Sequence, residues 1–224
     1  METISFINQK GGAGKTTLCL NIASCLQSLN DSTELLASYV TVADADEQAN
    51  LTDWQECGMG FTFDLIMAQT RQTLLTANKL AYSRKSKYFL IDTPGKLQDI
   101  SAHVISLSDF IVVPLRPSPC DVWATLDTLS IIRSAMRANP TLKTLIVINQ
   151  AIQHCTITKE VRALLAEHAP DFKVAEQSIV GRIDFAKSGM KGETIYQTKN
   201  IDAMKEIDAL TCEILSYLNE PESK

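Results

Sequence analysis

No stretch of the 224-residue sequence approaches the roughly 20 consecutive apolar residues that a membrane-spanning helix requires. The longest apolar runs, such as 110–113 and 145–148, are far shorter. A strand-like run (Ile4, Phe6, Ile7) begins within a few residues of Met1, which leaves no room for the basic and apolar regions of a secretion signal, so a cytoplasmic location is expected. Glycine and proline are scarce, at 9 and 7 residues, which excludes collagenous, fibrous and low-complexity disordered chains. Positive charge is in deficit: Lys and Arg number 21 against 26 Asp and Glu, for a net charge of −5. A protein basic all over, gripping nucleic acid by bulk charge, is therefore not expected, although a local basic patch is compatible with this balance. The six cysteines (Cys19, Cys25, Cys57, Cys120, Cys155, Cys212) form no CxxC pair, and His103, His154 and His168 lack metal-ligand spacing. The cysteines are expected to be small buried apolar residues in a reducing compartment. Trp54 and Trp123 fall in helical patterns and are expected to pack or lie on the surface.

What is present is ordinary globular material, 45% hydrophobic and 21% charged. A chain of this length buries roughly 70% of the surface its unfolded form exposes and needs neither metal nor disulfide to fold. One domain is expected over residues 1–224, with no helix-turn-helix extension before it. Strand-like runs at 3–8, 39–43, 88–91, 110–115, 145–149 and 173–180 alternate with amphipathic stretches at 15–29, 121–138 and 158–168. A last helix carries Ile201, Met204, Ile207, Leu210, Ile214 and Leu218 on one face. Continuous apolar strands separated by helices predict an α/β fold, a mostly parallel twisted sheet with helices on both faces. Ligands in such folds bind at the carboxyl ends of strands, which directs attention to the loops 9–17, 44–50, 92–95, 114–121 and 149–150.

The segment Lys10-Gly11-Gly12-Ala13-Gly14-Lys15-Thr16-Thr17 lies between the first strand and first helix. Glycines let successive N–H groups converge on an anion, and the helix that follows presents its free N–H groups and positive dipole end. Lys15 is placed to reach the β- and γ-phosphates of a nucleotide, and the Thr16 hydroxyl to ligand Mg²⁺. The standard G-x-x-x-x-G-K-[ST] pattern puts its first glycine where Gln9 stands. With a lysine near the start of the loop instead, the segment resembles the deviant Walker A motif of ParA/MinD-class P-loop ATPases (the SIMIBI-like branch). That resemblance implies that Lys10 reaches across a dimer interface to phosphates of the facing subunit; a solvated surface lysine is the competing reading.

Other segments extend the resemblance. Asp44-Ala45-Asp46-Glu47-Gln48 is similar to the first-switch D-x-D-P-Q, which implies that Asp46 positions the attacking water and Asp44 lies near the magnesium shell. Glu47 replaces the usual proline, removing a fixed φ and adding charge. Residues 88–92 deliver Asp92 as the Walker B aspartate of a magnesium-bound water, and Thr93-Pro94-Gly95 resembles the second switch, Gly95 allowing close approach to the γ-phosphate. Pro114-Leu115-Arg116-Pro117-Ser118-Pro119-Cys120-Asp121 resembles the proline-rich stretch of small plasmid-partition ATPases, with Asp121 expected to cap the next helix. Asn149 is a candidate for adenine recognition, with a cap or turn role as the alternative.

The segment from Gly181 to Ile195 resembles the family's R-x-x-x-x-A segment ending in G-x-T-I and is locally basic. Arg182, Lys187, Lys191 and Lys199 are the candidates for nonspecific DNA contact, an ordinary solvated face being the alternative. Taken together, the chain resembles a small ParA-type (ParF-like) partition ATPase. The resemblance implies ATP and Mg²⁺ as cofactors, a homodimer on ATP, binding to nonspecific DNA, release stimulated by a ParB-like adaptor, and nucleoid association when ATP is bound. The same engine with a different adaptor serves cargo positioning or conjugation. A membrane-cycling MinD-like factor is disfavoured, because residues 218–224 are acidic and interrupted by Pro221 rather than basic and amphipathic.

Overall fold

Branched and aromatic residues that crowd a helix pack well on a pleated sheet, and here they build β1 (Glu2–Phe6), β2 (Val40–Asp44), β3 (Asp64–Met67), β4 (Tyr88–Asp92), β5 (Phe110–Leu115), β6 (Lys143–Ala151), β7 (Lys173–Val174) and β8 (Ile179–Val180). The helices are α1 (Lys15–Ser28), α2 (Arg71–Ser83), α3 (Asp99–Leu107), α4 (Pro119–Ala138), α5 (Ile157–His168), α6 (Ile183–Met190) and α7 (Ile201–Asn219), with a 3-10 turn at Ile195–Gln197. The computed structural model describes residues 1–30, 39–46, 54, 61–95 and 99–221; Glu47, Gln48 and Cys57 lie outside them. Strand order is β3-β2-β4-β1-β5-β6-β7, with β8 also on β6, and every described pairing is parallel.

Side chains alternate across the sheet and divide the core in two. Phe6, Leu90, Phe110, Val112, Leu145 and Val147 face α1 and α7, where Leu18, Ile22, Ile207 and Leu210 cover them. Phe89, Ile91, Ile111, Val113, Ile146 and Ile148 face the opposite layer of Leu74, Val104, Leu129 and Leu165 from α2, α3, α4 and α5. Strands covered on both faces must be apolar at every position, and β5 is buried along its whole length. Phe89 is inaccessible to solvent, and truncating such a ring to alanine costs about 3–5 kcal/mol.

Local chemistry sets several boundaries differently from the sequence expectation. Pro119 occupies the first turn of α4 and Ser118, not Asp121, is the N-cap, its hydroxyl accepting from the Asp121 amide. The expected strand at 173–180 is two short ones, because the Glu176 and Gln177 amides donate to the Glu213 carboxylate on α7. The expectation of buried cysteines holds for Cys19 and Cys25 only; Cys120, Cys155 and Cys212 are exposed. Pro114 is tolerated inside β5 because β1 has already ended: Phe6, its last residue, pairs with Val112.

Candidate functional site

The carboxyl end of β1 runs into the glycine-rich loop, and α1 begins at once behind it. Gly12 and Gly14 adopt left-handed backbone conformations, with φ of 74° and 93°, which an L side chain rarely takes. A Cβ at Gly14 would also fall 2.0 Å from the Asn149 side-chain nitrogen. Gly14 is the N-cap of α1 and provides no capping side chain, so the first-turn N–H groups are left for an anion. The loop is braced from both flanks. Asn149 Nδ2 donates to the Ala13 carbonyl (2.8 Å) and Gln150 Nε2 to that of Gly12 (3.1 Å). On the other flank Asn8 Oδ1 accepts from the Lys10 amide (3.0 Å), while Asn8 Nδ2 donates to the Pro114 carbonyl (2.7 Å). Asn149, a candidate from sequence for adenine recognition or for a cap or turn, holds the loop with its amide nitrogen and also lines the cleft described below.

Parallel register delivers two carboxylates side by side: Asp44 and Asp92 are partners at the ends of β2 and β4, and both are buried. Thr16 Oγ1 donates to Asp92 Oδ2 at 2.6 Å. Asp92 Oδ1 is buried without a hydrogen-bond partner. Burial raises the Asp92 carboxyl to about 7, Asp44 and Asp46 push the same way, and Thr16 and Lys15 oppose them. Lys15 is itself buried, which lowers its ammonium below the ordinary lysine value against the pull of Asp92 and Asp46. The Asp46 backbone amide donates to Asp44 Oδ1 (3.0 Å), which ties the chain after β2 to the Asp44 carboxylate. A buried carboxylate with one unsatisfied oxygen beside a threonine hydroxyl fits Mg²⁺, which takes one or two carboxylates and completes its shell with water and phosphate rather than an all-protein cage. No group of three or more His, Cys, Asp or Glu side chains placed to hold a metal ion occurs among the described residues.

The loop at 93–95 lies against the glycine-rich loop. Thr93 Oγ1 donates to the Phe6 carbonyl (2.6 Å), Pro94 is buried, and a Cβ on Gly95 would stand 3.5 Å from Gly11 Cα and 3.8 Å from Lys15 Nζ. The two loop lysines point different ways. Lys15 is 7% exposed, whereas the Lys10 side chain is 40% exposed and its ammonium lies 3.9 Å from Asp121 Oδ1, which also pairs with Arg116.

Beside Thr17 opens a cleft of about 650 Å³ lined by Asn149, Gly181, Arg182, Phe185 and Trp54, among others. Arg182 is no free surface cation: its side chain is 16% exposed and pairs with Glu206, which also accepts from the Val180 amide. Lys187, Lys191 and Lys199 are exposed. Sequence reasoning missed Glu206, Asp121 and Gln150 as organisers, since each acts on residues distant along the chain or through its backbone setting; a buried-carboxylate role for Asp121 had no local signal.

A parallel sheet whose first strand feeds such a loop, with Asp92 facing Thr16 from a neighbouring strand, is a P-loop nucleotide-binding fold, and the lysine at position 10 places it in the ParA/MinD class of ATPases. The chain matches the VirC1 protein family over residues 1–216 and belongs to that family. It is 26% identical to the Maintenance of carboxysome distribution protein A of Halothiobacillus neapolitanus over 217 residues, covering 95% of this chain and 96% of that one. It is 28% identical over 173 residues to Protein virC1 of Rhizobium rhizogenes, covering 73% and 70%. Among solved structures, an ATP complex of Cyanothece McdA superposes with a TM-score of 0.73 over 100% and 99% of the two chains at 17% identity, a likeness of fold.

Proposed function

We propose that this chain is an ATP- and Mg²⁺-dependent ATPase that closes into a homodimer on ATP, holds nonspecific DNA in the closed state and lets go when an adaptor of the ParB kind stimulates hydrolysis. The observation that carries the proposal is the split between its two loop lysines. Lys15 is buried against Asp92 and available to the phosphates of its own nucleotide, and Lys10 stands at the surface beside Asp121, free to swing toward a facing protomer. The loop amides from Gly11 to Thr17 cradle the phosphates. Thr16 and Asp92 would hold magnesium, with Asp44 next to them; the ion, when bound, would offset the charge of the phosphates. Asp46 orients the attacking water, a task of positioning that suits a carboxylate on a loop able to rearrange. Gln48, Pro94 and Gly95 complete the two switches. Lys187, Lys191 and Lys199 supply the DNA-facing charge, doubled when two protomers align; Arg182 is left out of that set because it is paired with Glu206.

A second reading keeps this engine and changes its load. The similarity over 95% of the chain to a protein named for carboxysome distribution favours a large protein assembly as cargo in place of a plasmid. No described helix is long and apolar enough to cross a membrane. The test is phosphate release together with retention on random-sequence DNA, in ATP and in ADP. ATP-dependent retention that is lost on hydrolysis supports the proposal, and retention indifferent to nucleotide contradicts it. Capture of partners from the native host on the ATP-locked protein separates the two loads: a centromere-binding adaptor supports DNA partition, and a shell or assembly protein supports the second reading.

A further inference from the structure

α6 contains a glycine that its backbone does not require. Gly189 lies in the last turn of the helix, outside the left-handed region occupied by Gly12, Gly14 and Gly192, where alanine is the better helix former. The reason for glycine is the indole above it. A Cβ at position 189 would fall 2.1 Å from Trp54 Cζ2, 2.6 Å from Cε2 and 2.8 Å from Nε1. Trp54 is half-buried against the α1/α7 side of the core, and it lines the cleft that opens beside Thr17, together with Phe185 and Asn149. A nucleotide with its phosphates on residues 11–16 must send its sugar and base past the first turn of α1, and this cleft adjoins that turn.

We propose that Trp54 is a base-contacting residue, the aromatic wall against which the purine rests, and that Gly189 is the seat that lets the ring lie there. The inference rests on the nucleotide reading above and extends it to a residue that the switch and loop motifs do not include. Stacking on an indole is sequence-tolerant and draws on the base alone, so it adds affinity that the phosphate loop cannot supply. The seat also puts the occupant of the cleft in contact with α6, the helix that carries the exposed Lys187.

The test uses the full chain with Trp123→Phe, which removes the half-exposed indole on α4 and leaves Trp54 as sole tryptophan. ATP with Mg²⁺ and inorganic tripolyphosphate with Mg²⁺ are titrated by calorimetry and by tryptophan emission. The expected result is that both ligands bind, that only ATP shifts the emission, and that the midpoint of that shift matches the calorimetric Kd. Trp54→Ala weakens ATP by roughly 5- to 100-fold, the range of base stacking, and leaves tripolyphosphate unchanged; Trp54→Phe recovers most of the loss. Gly189→Ala, harmless to the helix, makes Trp54 more accessible to acrylamide and weakens ATP to a similar degree, and combining it with Trp54→Ala adds no further loss. ATP binding with silent emission, or full ATP affinity in both Trp54→Ala and Gly189→Ala, overturns this inference alone. An equal emission shift with tripolyphosphate overturns the base contact. Absence of any ATP heat in the parent protein overturns the nucleotide reading and this inference with it.

Discussion

The two halves of the proposed nucleotide site are built on different plans. At the phosphate end the groups hold one another in place: the loop is braced by Asn149, Gln150 and Asn8, and Thr16 donates to Asp92. At the proposed base end the walls come from elements far apart in sequence, Trp54, Asn149 and the 180–186 segment, and the ion pair there, Arg182 with Glu206, ties the protein to itself. The difference is one of chemistry. A polyphosphate demands convergent N–H groups and cations in one geometry, while a base needs an apolar slot with a flat wall. Electrostatic cost accordingly gathers at the first end, where burial raises the Asp92 carboxyl to about 7.

If this contrast is right, the largest effects belong to the phosphate end. Lys15→Ala should weaken ATP by at least about 100-fold, near 2.7 kcal/mol, measured by calorimetry. A loss under about tenfold would mean that the cradle works without its buried ammonium. Gly14→Ala should follow, lowering thermal stability by about 1–3 kcal/mol, since the new methyl group meets both a left-handed backbone and Asn149. Asn149→Ala in the same chain relieves the collision and recovers only part of the loss.

Asp92→Asn sharpens the comparison through pH. An acid whose folded pKa, about 7, lies above its ordinary value binds protons more tightly folded than unfolded. Stability of the metal-free protein should therefore fall as pH rises from about 4 to 7. Metal-free Asp92→Asn lacks that penalty, so its melting temperature should exceed the parent's at pH 8, and the difference should shrink as pH falls and close near pH 4. Stabilisation by Mg²⁺ with nucleotide should vanish in the variant at both pH values. A parent protein whose metal-free stability is flat across this window would contradict the buried-carboxylate picture.

A last pair of variants separates surface cations from structural ones. Arg182→Ala should cost about 1–3 kcal/mol of stability by leaving the Glu206 carboxylate without its partner. Lys187→Ala should leave melting unchanged and reduce the slope of log DNA affinity against log salt by about 1. The reverse pattern in melting and salt titration would exchange their roles.

Legibility in the sequence followed locality. The loop from Lys10 to Thr17 and the apolar strands that flank it carry their signals within a few residues, and the parallel sheet with helices on both faces stands as expected. Asp44 and Asp92 were each visible as strand-end carboxylates, but their adjacency depends on the register of β2 with β4, which no local pattern encodes. The same holds for Arg182 and Glu206, for Glu213 dividing the 173–180 strand into two, and for Trp54 on Gly189. Asp121 was misassigned as a cap because Asp at a helix start has two uses, and only the position of Ser118 decides between them. Elements at 64–67 and 71–83 went unread because β3 is a short edge strand and α2 buries only Leu74, Ala77 and Ala81.

Sedimentation velocity of the parent chain, Lys10→Ala and Lys15→Ala in ATP with Mg²⁺ tests the division of labour between the two lysines most directly, with ATP affinity measured alongside. The account predicts a nucleotide-dependent dimer for the parent, a monomer that still binds ATP for Lys10→Ala, and a monomer that does not bind it for Lys15→Ala. A Lys10→Ala protein that dimerises as the parent does, or that loses ATP to the same extent as Lys15→Ala, would contradict it.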